Sequence, residues 1–377
     1  MNKPFSIFVR ILDALMAPPK KILVAPLDWG LGHATRCIPI IHALLKKSCE
    51  VIIGADKRPL ALLRKEFPHI EYVVMPGYDI SYSASGSMAG NMLLSVSKIL
   101  IGIKREHKLL KKLIKEKKIN AVISDNRYGL YSGNIPSVFL THQLFIQSPI
   151  LSSLLRSINH HYIDKFTECW VPDSHNEINL SGALSHGYPL PSNTYYIGNL
   201  SRFNNTMVDH NHRIDLLCII SGPEPQRTIF EKNILEQVKK LDHKLNLKIV
   251  IVQGKPDVDE RKFISQHIEL ISHLDAKEMN TLIVASKLIL SRPGYSTIMD
   301  IAALNKKAIF VPTHGQTEQE YLALKFKKEK VAYSVDQNKF NLKDAINENV
   351  NYNGFTQHNP TNDLEKKIDS FLAEIRP

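Results

Sequence analysis

An α/β fold made of two doubly wound parallel-sheet domains is the prediction, and three observations support it. The chain has 377 residues, more than one ordinary hydrophobic core organises. Short runs rich in Val, Ile and Leu alternate with stretches of helical periodicity, the rhythm of repeated βαβ units. That rhythm stops in the polar, Asn-rich residues 199–213 and then begins again. A hydrophobic content of 44% with 23% charged residues excludes disordered and fibrous classes.

Residues 1–20 read as an N-terminal extension. Their apolar run is broken by Arg10 and Asp13 and lacks a small-residue cleavage site, which argues against a secretory signal. Either they form a short amphipathic appendage, or Met16 is the true start. Residues 21–200 form the first domain, with strands predicted at 22–25, 51–53, 72–75, 121–124, 137–140, 169–171 and 195–197. Runs such as Ile-Leu-Val-Ala at 22–25 carry no polar alternation, as expected where both sheet faces are covered. Helices fall between them at 34–46, 58–66, 92–117 and 149–166. Residues 201–213 are the linker. The second domain, 214–350, repeats the pattern with strands at 216–220, 248–252, 268–271, 288–290, 308–311 and 331–333. Its helices are expected at 226–241, 276–285, 296–304 and 318–328, and residues 351–377 form a tail ending in a helix at 364–375.

Net charge is +11, and residues 98–118 alone contribute +7 through eight Lys, one Arg and two Glu. Apolar residues recur there at helical spacing, describing a basic amphipathic helix. A solvated outer face accounts for it, and so does attraction to an anionic membrane surface. Nucleic acid fits poorly, because no aromatic residues interleave the basic ones. No stretch approaches the ~20 apolar residues of a spanning helix. Cys37, Cys49, Cys169 and Cys218 lack metal-ligand spacing and read as reduced, buried thiols of a cytoplasmic protein, peripheral to the inner membrane face if the basic helix binds lipid.

The segment 291–323 carries the most chemistry. Gly294, Ser296 and Thr297 stand where a strand gives way to a helix, leaving backbone N–H groups open to an anion. Asp300 lies about one turn further, within reach of a ribose hydroxyl. A second polar cluster, 317–320, follows the next strand. Helix capping and a solvated carboxylate are the competing accounts. In the first domain, Gly30 and Gly32 turn the chain sharply after the first strand, with His33 at or just before the helix start.

The segment resembles the C-terminal donor motif of glycosyltransferase family twenty-eight, in particular the MurG-like N-acetylglucosaminyltransferases. The matching positions are Ser291, Arg292, Gly294, Ser296, Thr297, Asp300, Pro312, Gln319, Tyr321 and Ala323. The resemblance implies the GT-B fold, in which two Rossmann-like domains face each other across a cleft and the terminal helix returns to the first domain. It also implies that the first domain takes the acceptor and the second takes the nucleotide sugar. Gln319 keeps a family position for sugar hydroxyls, whereas Glu320 stands where a second Gln is common. The Gly-x-Gly-His of residues 30–33 resembles the family's acceptor loop, with Asp28 and Trp29 replacing part of its glycine.

Transfer from a nucleotide sugar needs a base for the acceptor hydroxyl and a stabiliser for the departing diphosphate. An imidazole titrates near about 6.5, so His33 is the candidate base, with Asp28 a rival base or its orienting partner. In the loop 221–228, Ser221, Gly222 and Arg227 match places that hold the diphosphate in the family, while Pro223 and Pro225 depart from its pattern. Asp125 and His142 follow strands of the first domain and face the cleft. His142-Gln143 partly matches a family His-Glu-Gln-Asn run whose Glu and Asn are missing here. No Asp-x-Asp motif stands in a matching loop, and helix dipoles with Arg can replace a metal, so no metal or other cofactor is expected. The expected function is inverting transfer of a hexose or N-acetylhexosamine from a UDP-sugar to an acceptor, lipid-linked or part of a cell-envelope glycan. A nucleotide-sugar epimerase or hydrolase of the same fold is the alternative, and a non-catalytic binding module is the third reading.

Overall fold

The computed structural model describes residues 18–78, 88–146, 152–204, 213–222, 224–255, 258–358 and 363–375. Most of the N-terminal extension, linker residues 205–212 and Pro223 lie outside them. The first domain runs β1 (Lys21–Pro26), α1 (Leu31–Lys46), β2 (Glu50–Ala55), α2 (Lys57–Glu66), β3 (Glu71–Val74) and α3 (Met88–Lys117). It continues with β4 (Ala121–Asp125), β5 (Ser137–Leu140), α4 (Ser152–Ile163), β6 (Glu168–Val171) and β7 (Thr194–Tyr196). These strands form one parallel sheet in the order β3-β2-β1-β4-β5-β6-β7.

The second domain opens with β8 (Ile214–Ile219), α5 (Gln226–Leu245), β9 (Ile249–Val252), β10 (Arg261–Phe263), β11 (Ile268–Ile271) and α6 (Ala276–Ala285). Then come β12 (Ser286–Ser291), α7 (Tyr295–Ala303), β13 (Lys307–Phe310), α8 (Thr317–Lys328), β14 (Tyr333–Ser334) and α9 (Leu342–Glu348). Its order is β10-β11-β9-β8-β12-β13-β14, with β10 the one antiparallel edge among the described strands. The chain order reverses between β1 and β4 in one sheet and between β8 and β12 in the other. Loops leaving the carboxyl ends of those strands diverge and leave a crevice, the usual ligand position of doubly wound sheets.

The central strands are mainly apolar because helices cover both faces; all four residues of β9 are buried. Arg261, Lys262 and Phe263 of β10 are all exposed, so nothing in their pattern announces a strand. The final helix, α10 (Leu364–Glu374), lies on the first domain. Phe371 meets Trp170 of β6 edge-on at 5.4 Å, and Lys367 pairs with buried Glu168 at 2.6 Å. The four cysteines are buried and unpaired. No described helix is long and apolar enough to cross a membrane.

Candidate functional site

The cleft is built by helix starts that face each other. Helix α1 begins at Leu31, three residues earlier than its periodicity predicts, because Gly30 takes φ 120° and turns the chain directly into it. His33 therefore lies in the first turn. Helix α7 begins at Tyr295 after Gly294. Neither start is closed by a capping side chain. By contrast, α6 is sealed by a reciprocal Asp275–Glu278 capping box. Open first-turn amides place about half a unit of positive charge at each helix end. Ser296 Oγ donates to the Gly32 carbonyl at 2.8 Å, joining the two starts. A methyl group on Gly32 would stand 3.0 Å from that Oγ, so the approach requires a small residue there.

Five charged or imidazole groups form one chain below this contact. His33 Nδ1 lies 2.9 Å from Asp125 Oδ1. Arg36, one turn along α1, donates through Nε to Asp125 Oδ2 at 2.6 Å and also contacts Oδ1. Another of its nitrogens stands 2.8 Å from His142 Nδ1. His142 Nε2 is 3.0 Å from Glu318 Oε1, across the cleft on α8, and Gln143 donates to the other Glu318 oxygen. Asp125 and Arg36 are buried. Burial pushes the Asp125 carboxyl up, but Arg36 and His33 beside it outweigh that and hold it at about 2.

These contacts constrain the protons. His33 Nδ1 faces both the Asp125 carboxylate, which only accepts, and Arg36 Nη2 at 3.0 Å, which only donates; with its proton on Nδ1 toward Asp125 it presents a lone pair at Nε2. No described residue hydrogen-bonds that Nε2. A guanidinium only donates, so His142 accepts at Nδ1 and carries its proton on Nε2, toward Glu318. Burial, together with Arg36 and His33, pushes the His142 imidazole below its ordinary range despite Glu318, keeping it neutral.

Other sequence-predicted residues take different places. Asp28 makes no hydrogen bond to His33; it packs against Gly77 and lies 3.7 Å from Lys57, with Oδ1 buried and unpartnered. Asp125 thus fills the orienting position that was expected of Asp28. Arg227 is buried and saturated: it pairs with Glu224 and Glu231, and donates to the Gln253 carbonyl and Thr228 Oγ1. Glu224 also accepts from the Thr228 amide at 3.3 Å, so a carboxylate of the chain itself occupies the start of α5. The charge expected of Arg227 at a diphosphate is already neutralised. Arg292 is equally internal, donating to the Val311 and Pro312 carbonyls and lying 4.0 Å over the Phe230 ring. Burial lowers its guanidinium to about 10. It is a strut between β12 and the loop after β13.

Gln319 accepts from the Thr313 amide and Glu320 from the Gly315 amide, each at 2.8 Å, so both hold the loop after β13. Ser221 and Gly222 are half-buried at the end of β8, and space beside Gly222 is open. Thr297 is half-buried in the first turn of α7. Asp300 accepts from Ser201 Oγ at 2.8 Å, and burial, partly offset by Arg202 and Ser201, pushes its carboxyl up to about 6. Sequence reasoning missed Arg36, Arg202 and Tyr295, whose ring stacks on His142 at 4.1 Å, and placed Glu318 only within the polar cluster 317–320. Among the described residues, no group of three or more His, Cys, Asp or Glu is arranged to hold a metal ion.

Comparison with known proteins bears on the family and the fold. Residues 216–374 match the model of the Glycosyltransferase family 28 C-terminal domain. The second domain thus matches the C-terminal domain of the family 28 glycosyltransferases. An uncharacterized glycosyltransferase of Methanosarcina mazei is 23% identical over 326 residues, covering 80% of this chain and 81% of its own. Another from Methanosarcina acetivorans is 22% identical over the same length, with 80% and 81% covered. Among solved structures, CalG4, the calicheamicin glycosyltransferase, aligns with TM-score 0.67 at 11% identity, covering 96% of this glycosyltransferase and 100% of that chain. Acinetobacter baumannii MurG aligns with TM-score 0.58 at 14% identity, covering 94% and 100%. S. aureus MnaA, solved with UDP, aligns with TM-score 0.61 at 14% identity, covering 94% and 96%. The glycosyltransferase therefore has the GT-B fold.

Proposed function

We propose that this glycosyltransferase moves a hexose or N-acetylhexosamine from a UDP-sugar to an acceptor hydroxyl with inversion. One observation carries the reading: His33, hydrogen-bonded to Asp125, lies at one uncapped helix start, and Ser296 in the first turn of another bonds to that start at Gly32. His33 takes the acceptor proton as the hydroxyl attacks the anomeric carbon, and the bond to the diphosphate breaks on the opposite face. A single displacement of this kind inverts the anomeric centre. The open amides of α7, with Ser221 and Gly222 opposite, receive the diphosphate charge, and Asp300 with Arg202 meets the ribose side of the nucleotide. Backbone amides and helix dipoles stabilise the leaving group in place of a metal.

The acceptor side is Asp28, Trp29 and Gly30, where Trp29 is 44% exposed and available to stack on a sugar ring. Beyond it, α3 turns Lys98, Lys104, Lys108, Lys111 and Lys115 to solvent beside exposed Leu100 and Ile101. That face suits an anionic bilayer carrying a lipid-linked acceptor at the cytoplasmic surface, at about 1 kcal/mol per basic residue near the lipid. Sedimentation with phosphatidylglycerol vesicles that is lost at high salt is the expected behaviour.

The test is UDP release from a panel of UDP-sugars with wild type and His33→Ala. The variant should lose about 10²–10⁴-fold in turnover. Wild-type turnover in His33→Ala sinks the assignment of the base. Rapid conversion of UDP-N-acetylglucosamine to another sugar without acceptor would instead support the epimerase or hydrolase reading.

A further inference from the structure

His142 is held by the second domain on two sides. Its edge meets Glu318 of α8, and its face stacks on Tyr295 of α7 with the planes 6° apart. Tyr295 is itself anchored, donating through its hydroxyl to the Pro172 carbonyl at 2.9 Å. From His142 the polar contacts run back through the first domain without a gap. Each donor has a defined acceptor: His142 Nε2 gives to Glu318, Arg36 gives to His142 Nδ1 and to Asp125, and His33 Nδ1 gives to Asp125. Arg36 Nη2 also stands 3.0 Å from His33 Nδ1, so the guanidinium touches both imidazoles, and the arrangement with the His33 proton directed at Asp125 leaves its lone pair on Nε2. The groups facing one another are His33 and Arg36 from α1, Asp125 from β4, His142 from the loop after β5, and Glu318 from α8; the Cys37 thiol lies 3.7 Å from Asp125 Oδ2.

We propose that Glu318 is a positioning residue for His33, acting across the cleft through His142, Arg36 and Asp125, so that the base is fully set only when the two domains are closed. Glu318 fixes which nitrogen of His142 carries the proton. That leaves His142 Nδ1 as an acceptor, which steers one arm of Arg36 and aligns the remainder of the guanidinium on Asp125. Without Glu318, His142 is free to take its proton on Nδ1, a state that repels the Arg36 donor and loosens Asp125 against His33. The donor loop after β13 is anchored by Gln319 and Glu320 to its own amides, so its position and that of Glu318 change together. A nucleotide sugar that orders this loop would complete the setting of the base before attack. Gln143 touches the same carboxylate, so the acid and the amide form a pair that can be exchanged between domains.

This inference rests on the transferase reading for its kinetic consequence, and two measurements separate them. The first compares wild type, Glu318→Gln, and the exchanged double variant Gln143→Glu/Glu318→Gln. Glu318→Gln should lose at least about tenfold in kcat with donor KM within about threefold, and the exchange should recover most of the loss. A wild-type kcat in Glu318→Gln, or an exchange no better than the single variant at equal thermal stability, overturns the proposal. The second needs no sugar nucleotide: acylation of histidines by diethyl pyrocarbonate, read by mass spectrometry on ligand-free protein. In Glu318→Ala, His142 should label about tenfold faster, and the His33 rate should change by at least about threefold. Unchanged labelling of His33 overturns the coupling. Altered labelling in a protein that releases no UDP from any sugar would instead remove the donor reading and leave the coupling standing.

Discussion

Asp300→Asn should make the protein more stable and a poorer binder of its donor. The Asp300 carboxyl is raised from 3.8 to about 6, principally by burial, with Arg202 and Ser201 offsetting part of the cost. A shift of about 2 units corresponds to about 3 kcal/mol of preference for the neutral form in the folded state. The folded chain therefore binds more protons than the unfolded chain between pH 3.8 and about 6. Its stability falls as pH rises through that window and stays reduced above it. Asparagine never ionises and retains an acceptor for the Ser201 hydroxyl, so it escapes the cost. The assay is urea unfolding of both proteins, followed through the second domain. Near pH 4 their stabilities should agree within about 0.5 kcal/mol; by pH 8 the variant should be ahead by about 2–3 kcal/mol. Calorimetry with UDP at pH 8 should show binding weakened about tenfold or more, through loss of the charged acceptor for ribose hydroxyls. A variant less stable at pH 8, or a stability difference independent of pH, would refute the reasoning.

Four further outcomes are expected. Asp125→Asn should cost about 3–5 kcal/mol at pH 7, because it strands Arg36 in the interior. Its charge stabilises the fold above the ordinary carboxylate range, and that support disappears as pH falls toward about 2, so wild type should lose its advantage over the variant in acid. Gly32→Ala should lower turnover several-fold, and Ser296→Ala should restore it, since the clashing oxygen at 3.0 Å is then gone. Arg227→Ala should lower stability by on the order of 3 kcal/mol while leaving UDP affinity within about threefold; a hundredfold loss of affinity at unchanged melting temperature would contradict its internal role. Trp29→Ala should raise acceptor KM with donor KM unchanged, as steady-state kinetics with each substrate varied will reveal.

Most of the architecture was legible because its strands are buried on both faces. Continuous Val/Ile runs such as residues 249–252 have few other fates between turn residues. Strand β10 was illegible for the opposite reason, since three exposed residues become a strand only by pairing with β11. Within the site, Gly30, Gly32, His33, Asp125 and His142 were readable singly from their places after strands. Their connection was not, because it depends on Arg36. That residue did leave a signal: positions 33, 36, 37 and 40 share one face of α1, three of these four are buried, and an arginine on such a stripe needs a buried acid. Glu318 stood only within the polar cluster 317–320, and nothing marked its pairing, because its partners lie 175 and 176 residues away on the other domain. The second-domain arginines misled for a related reason. The spacing of Arg227 and Glu231 at i and i+4 favours an internal pair, and that local preference prevailed over a ligand.

The return of α10 to the first domain means that the polypeptide passes between the lobes twice, once outward near residue 200 and once back before residue 363. Two covalent passages act like the two pins of a door. Swinging about the line between them stays soft, while twist and sideways slip are resisted. Cutting the second pin, by ending the chain ahead of α10, should leave both sheets folded yet let the lobes meet out of alignment.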